Sequence, residues 1–168
     1  MRDSGNGLFY TTMESLAGPL VLAGNSGGLR RIHFANGGRF SVPENWKQDD
    51  APFGEAVRQL RAYFSGELRE FNLLLALEGT AFQMKVWNSL RTIPDGRTIS
   101  YAQLAKEIGN PKAVRAVGLA NGCNPVPIVI PCHRVIGSNG NLTGFGGGLP
   151  AKKALLALES RQRSLLEV

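Results

Sequence analysis

The sequence is poor in the residues that usually carry metal or redox chemistry. Its 168 residues hold two cysteines, Cys123 and Cys132, and two histidines, His33 and His133. Two thiols build neither a disulfide framework nor a four-ligand zinc site. No apolar run approaches the ~20 residues that cross a membrane. The stretch Met1 to Gly7 lacks the apolar core of a signal peptide. A cytoplasmic protein with at least one free thiol is therefore expected. Acid is also scarce, but only in one half. Residues 1–78 carry 8 Lys+Arg against 9 Asp+Glu, whereas residues 79–168 carry 11 against 4, so −1 and +7 make the net +6. A basic half is the electrostatic footprint of a polyanion partner, most often nucleic acid. The same excess also serves solubility.

What is present is ordinary for a globular chain, with 43% hydrophobic and 19% charged residues. The length suits one medium domain or two small ones. Leu8 to Thr12, Leu20 to Ala23 and Leu29 to Phe34 read as a β-meander, separated by Gly18-Pro19 and by the cluster Asn25 to Gly28. Residues 36–50 read as a loop. Pro52 suits the first turn of a helix, and Phe53, Val57, Leu60 and Phe64 recur at helical spacing up to Gly66. Phe71 to Leu77 reads as a short buried strand, although Leu and Ala are weak strand formers. His33 follows a strand pattern and reads as a structural or surface residue.

The character changes at Glu78-Gly79, which places a domain boundary between residues 1–78 and 79–168. Thr80 to Gln83 and Ser100 to Gln103 each have the form of a capping box. Asn110-Pro111 predicts the start of a further helix over 111–121, with Val114, Val117 and Gly118 on its packed face. Two short helices joined across Gly109 make the pattern of a helix-turn-helix, whose second helix approaches nucleic acid. An ordinary helical hairpin has the same pattern. After Cys132 come a turn at Gly137 to Gly140 and a loop at Gly144 to Gly148. Pro150 opens a last helix, with Leu155, Leu156 and Leu158 packed and Lys152, Lys153 and Glu159 left available elsewhere.

Chemistry concentrates in Pro127-Ile128-Val129-Ile130-Pro131-Cys132-His133-Arg134-Val135. A cysteine among Ile, Val and Pro should be buried, which raises a thiol pKa and leaves it inert. His133 supplies a base, and a nearby Arg134 would favour the thiolate. Neighbours in an extended chain point to opposite sides, so Cys132 and His133 should meet through a water rather than directly. The histidine then needs a carboxylate to orient it. Glu159 is the only acidic residue between Glu107 and Glu167.

Pro131-Cys132-His133-Arg134-Val135 resembles the active-site signature of the O6-alkylguanine-DNA alkyltransferases, the methylated-DNA–protein-cysteine methyltransferases. The resemblance runs without an apparent gap from Ser100-Tyr101 through Arg115 to Gly118 and Asn124 to Pro127, to Gly147-Gly148-Leu149, Lys152 and Glu159. Residues 1–78 resemble the family's N-terminal domain more loosely, through Gly18-Pro19-Leu20 and Gly28-Leu29. The fold implied is α+β, a small N-terminal α/β domain of RNase H-like type followed by a mainly helical C-terminal domain with a winged-helix-like helix-turn-helix. The function implied is single-turnover repair, in which the protein binds duplex DNA through the minor groove and flips out O6-alkylguanine, with O4-alkylthymine as a further substrate. Cys132 would accept the alkyl group irreversibly.

By the same resemblance the catalytic set is Cys132, His133, Glu159 and Asn124. Tyr101 would act at the target's phosphate and at the expelled base, and Arg115 would fill the gap left in the stack. Ala120, Val135, Phe145, Gly146 and Lys152 complete the expected substrate- and DNA-binding set. Phe145 stands where many relatives have tyrosine, and Gly146 where some have serine. Zinc ligands seen in some relatives' N-terminal domains have no counterpart, because residues 1–78 contain no cysteine. No metal or cofactor is therefore expected. The expected partner is double-stranded DNA bearing alkylated bases, bound by a monomer away from membranes.

Overall fold

A computed structural model describes residues 7–36 and 40–166, with side chains described up to Arg161. Met1 to Asn6 of the stretch read against a signal peptide, and part of the predicted 36–50 loop, lie outside the described residues. The first half is a four-stranded sheet in the order β3-β2-β1-β4, built from β1 (Phe9–Met13), β2 (Leu20–Asn25), β3 (Gly28–Phe34) and β4 (Lys47–Gln48). The meander is antiparallel, with Thr11 opposite Leu22 and Leu22 opposite Ile32, and β4 adds in parallel to β1. The central strand is buried on both faces. Leu20 and Leu22 join the main core, whereas Val21 and Ala23 pack with Leu8 and Trp46 on the other side. This is the two-residue period of a strand covered on both faces. Helix α1 (Gly54–Phe64), preceded by a 3-10 turn at Ala51–Phe53, buries Leu60 and Tyr63 against the main core.

Residues 71–77 do not form the expected regular strand. One bridge pairs Leu29 with Leu75, held by Leu29 N–H to Leu74 O and Ala76 N–H to Leu29 O, both at 2.9 Å. Leu74 is 70% exposed. The outer edge of β3 is shared between two segments, because the Ile32 N–H donates to Pro125 O at 2.9 Å. A seven-residue strand has no continuous partner there, and the unbranched Leu and Ala side chains add little preference for one.

The second half is mainly helical, with α2 (Ala81–Leu90), α3 (Tyr101–Glu107), α4 (Val114–Gly122) and α5 (Leu149–Leu166). Two short strands, β5 (Ile99–Ser100) and β6 (Val135–Ile136), pair in parallel and tie the start of α3 to the segment after Cys132. The capping box at Thr80 is complete, with Thr80 Oγ1 accepting from Gln83 N–H and Gln83 Oε1 accepting from Thr80 N–H. At α3 the Ser100 hydroxyl accepts from Gln103 N–H at 3.0 Å, and Ser100 belongs at the same time to β5.

Helix α4 begins at Val114, three residues later than the Asn110-Pro111 signal predicts. Asn110 closes α3 instead. Its N–H donates to Ala105 O, and the Gly109 N–H donates to Lys106 O, with Gly109 at φ +81°. These two bonds make a Schellman cap, and a left-handed residue there favours glycine. A turn over 110–113 follows. Val117 is buried as expected, but Val114 faces outward at 37% exposure.

Candidate active site

The segment 124–134 is folded back on itself, not extended. Asn124 clamps it from within, its Nδ2 donating to Ile130 O at 2.7 Å and its Oδ1 accepting from Val126 N–H at 3.0 Å. The Ile130 N–H donates to Val126 O, and Ile128 is held at φ +76°, an uncommon conformation for a β-branched residue. Pro131, at φ −81° and ψ 64°, forms an inverse γ-turn closed by Cys132 N–H to Ile130 O. Cys132–Arg134 then make one 3-10 turn. Successive side chains of such a turn diverge by about 120°. Cys132 can therefore face a cavity while His133 and Arg134 turn to the protein interior. The opposite-sides expectation for Cys132 and His133 came from an extended backbone that is not formed.

The cavity at Cys132 has a volume of about 240 Å³. Asn121, Gly122, Asn124, Phe145 and Gly146 line it from the second half, and Ile32, His33, Phe34 and Phe40 line it from the first. Phe34 meets Phe145 edge to face at 5.3 Å, and His33 stacks on Phe40 at 3.8 Å. Cys132 itself is 6% exposed. Burial pushes its thiol up to about 11, against the opposing pull of the Asn124 side chain, the Lys152 charge and backbone N–H groups. The arrangement is a thiol kept protonated until something takes the proton.

Behind the thiol, His133 is fully buried and its Nε2 lies 2.7 Å from Glu159 Oε1. Burial pushes Glu159 up, but hydrogen bonds and charge from His133 and Arg134 outweigh it and hold the carboxyl at about 2. An ionised carboxylate only accepts, so His133 must carry its proton on Nε2. Burial holds the imidazole below its ordinary pKa despite Glu159, so the ring is neutral. Its Nδ1 is then a lone-pair base, buried and without a hydrogen-bond partner.

Arg134 does not serve the thiol. Its Nε donates to Glu159 Oε2 at 3.0 Å, one terminal nitrogen to Glu159 Oε1 at 2.8 Å and the other to Ile93 O at 2.6 Å. Tyr63 of α1 adds a fourth bond to the carboxylate, its hydroxyl donating to Oε1 at 2.7 Å. The cation that acts on Cys132 is Lys152.

The two halves of the chain match the two domains of one family. Its DNA-binding domain, described as that of 6-O-methylguanine DNA methyltransferase, matches residues 81–161, and its ribonuclease-like domain matches residues 8–77. A methylated-DNA–protein-cysteine methyltransferase of Methanosarcina acetivorans is 53% identical over 153 residues, covering 90% of this chain and 98% of that one. The chain belongs to the 6-O-methylguanine DNA methyltransferase family. A Mycobacterium tuberculosis relative of the same name is 51% identical over 152 residues, covering 90% of this chain and 92% of its own. The crystal structure of the M. tuberculosis protein in complex with DNA aligns with a TM-score of 0.86 at 50% identity, over 92% of this chain and 94% of that one. A hyperthermophilic relative from Pyrococcus kodakaraensis aligns at 0.65 and 26% identity, over 90% of this chain and 98% of that one.

Within this methyltransferase family frame, the structure brings some of the sequence-derived residues together and separates others. Cys132, His133, Glu159 and Asn124 converge, and Phe145 and Gly146 line the cavity. Tyr101 stands at the first position of α3, its hydroxyl accepting from Thr143 Oγ1 at 3.0 Å. Arg115 is exposed on α4, one turn from Leu119, which is 72% exposed. Three residues expected to touch DNA or substrate are interior. Ala120 is 3% exposed and its carbonyl accepts from Trp87 Nε1. Val135 and Lys152 are fully buried, with the Lys152 ammonium donating to Val135 O at 2.7 Å and Thr143 O at 3.1 Å. Lys152 and Glu159 are thus not on an available face of α5. They stand seven residues apart, two turns of one helical face, and that face points at the active-site turn. Residue order carries no sign of Tyr63, Phe34 or Phe40 as neighbours of this site. For Lys152, its i+3 and i+7 relation to buried Leu155 and Glu159 was the available signal.

Proposed function

We propose that this chain repairs alkylated DNA directly, with Cys132 as the acceptor. The observation that carries the proposal is the buried thiol at the cavity, clamped by Asn124 and backed by a neutral His133 that Glu159 locks in one tautomer. The thiol proton passes through a bridging water to His133 Nδ1. The thiolate attacks the alkyl carbon on guanine O6, a carbon–sulfur bond forms and the carbon–oxygen bond breaks. The bonding pair stays with the guanine oxygen, and a proton from the site restores the normal base, with Tyr101 serving the expelled base and its phosphate. No base in the site reverses a thioether, so each molecule acts once.

A lesion inside a duplex cannot meet a thiol that is 6% exposed, so the nucleotide must leave the stack. Flipping costs a few kcal/mol, and less for a weakly paired damaged base. The exposed face of α4 enters the minor groove, and Arg115 fills the space left behind, as wedge residues do. O4-alkylthymine is a further substrate of the same pocket. We place the domain boundary at Glu78-Gly79 and assign the chain to the cytoplasm, acting as a monomer without metal or cofactor. Among the described residues no helix is long and apolar enough to cross a membrane.

Incubation with duplex DNA carrying labelled O6-methylguanine tests the proposal. One label per molecule should move onto Cys132, and none in Cys132→Ala. Label that stays on DNA beside an intact thiol would overturn it. Arg115→Ala should slow repair of duplex far more than of single-stranded substrate; equal slowing would remove the stacking role.

A further inference from the structure

We infer that Tyr63, in the N-terminal half, is a positioning residue for alkyl transfer, because its phenol shares the charge of Glu159 and so sets how strongly Glu159 holds His133. This rests on the proposed role of Cys132 and His133 and gives the first half a part in the chemistry. Tyr63 is fully buried and its hydroxyl reaches Glu159 Oε1 across 96 residues of sequence. That oxygen accepts three bonds, from Tyr63, from His133 Nε2 and from Arg134, all between 2.7 and 2.8 Å. Donors on one carboxylate oxygen compete for the same electron density. Each additional donor weakens the pull on His133 and keeps the imidazole neutral.

The phenol is well suited to the task. Burial and the Glu159 charge push its ionisation far above the ordinary tyrosine range, so it remains a donor at any working pH. Its ring is fixed by Phe64 and Phe71, each 5.3 Å away. The charged groups around the carboxylate are few. Arg134 and His133 come from the 3-10 turn, and Asp95 from the turn after α2, with Arg69 acting on Asp95. Lys152, on the same helix as Glu159, acts on His133 and on Cys132. Among the described residues that donate to Glu159, only Tyr63 comes from the N-terminal half, and its donor can be removed with one oxygen without moving a charge.

Tyr63→Phe tests the inference, because the ring is retained and only the donor is lost. Glu159 then holds the Nε2 proton more strongly and the imidazolium becomes easier to form. The acid limb of the single-turnover transfer rate should move up by about one pH unit, which is roughly tenfold slower transfer at a fixed pH on that limb. The His133 ring can be followed independently by nitrogen-detected NMR titration, since the chain has only two histidines and a His133→Gln spectrum assigns them. Its midpoint should move up by the same amount. A uniform loss of rate or of melting temperature, with the acid limb and the His133 midpoint unmoved, would make Tyr63 merely structural and overturn the inference. If the wild-type protein moved no label to Cys132, the underlying reading would fail, while the NMR midpoint would still report whether Tyr63 tunes His133.

Discussion

Replacing Arg134 with Met removes the cation at the centre of the buried network while keeping a long apolar stem. Arg134 is 6% exposed and supplies two of the four hydrogen bonds on Glu159, one to each oxygen, and its other terminal nitrogen occupies Ile93 O. The carboxylate it leaves behind is 1% exposed and would keep only Tyr63 and His133. Breaking a buried pair by removing one partner costs about 3–5 kcal/mol, because a charge is stranded away from water. For a chain of this size each kcal/mol moves the melting temperature by about 2–4 °C, so a loss of roughly 6–20 °C is expected. Urea and thermal unfolding at pH 7, in low and high salt, would measure it. Salt should matter little for a pair this deep. Adding Glu159→Gln to Arg134→Met should recover part of the loss, since a neutral amide strands no charge. A loss under about 1 kcal/mol, typical of a surface pair, would refute the picture of Arg134 as the anchor of Glu159.

Three further outcomes follow from the same network. Glu159 is held at about 2, below its unfolded range near 4.5, so its contribution is complete above pH 4.5 and is lost as pH falls toward 2; at 1.36 kcal/mol per unit that is about 3 kcal/mol, and the stability difference between wild type and Glu159→Gln should be constant above pH 4.5 and shrink with falling pH through that window. Asp95 runs the other way. Burial, then the Glu159 charge, pushes it up to about 6, so its ionisation costs stability as pH rises from about 4 to 6, and Asp95→Asn should flatten the stability curve across that range in urea titrations. Lys152→Met removes a charge that lowers the Cys132 thiol and leaves Val135 O and Thr143 O without their donor; single-turnover transfer at pH 7 should fall by roughly tenfold or more, as for one unit of thiol pKa, and an unchanged rate would deny Lys152 any part in thiolate formation.

Much of the site is written in local sequence. Cys132 and His133 are adjacent, the Asn124 clamp spans only six residues, and the two capping signals at Thr80 and Ser100 rest on spacings of three. Glu159 could be named because the chain between Glu107 and Glu167 offers no other acid. The helix period was legible where one face was buried, as in α1, and β2, buried on both faces, was legible as a short apolar run. Local signals misled where a residue served a neighbour instead. Asn110 caps the helix before it rather than the one after, and residues 71–77 lack a continuous strand partner because Pro125 takes part of the β3 edge. Lys152 looked like a surface cation because lysine usually is one, yet its ammonium finds two carbonyls inside the fold.

The sequence by itself offered the candidate reacting groups, a thiol, a base and one available acid, and its extended resemblance from Ser100 to Glu159 pointed to the family. Only the tertiary structure decided how those groups are tuned. Tyr63, Ile93, Asp95, Arg134 and Glu159 meet in one buried network although they come from four separate stretches of chain. Such convergence follows from packing two halves over a shared core, and no periodicity within either half encodes it. The tautomer of His133 and the level of the Cys132 thiol are properties of that convergence, because burial sets the cost of charge and the donors around Glu159 decide which group bears it.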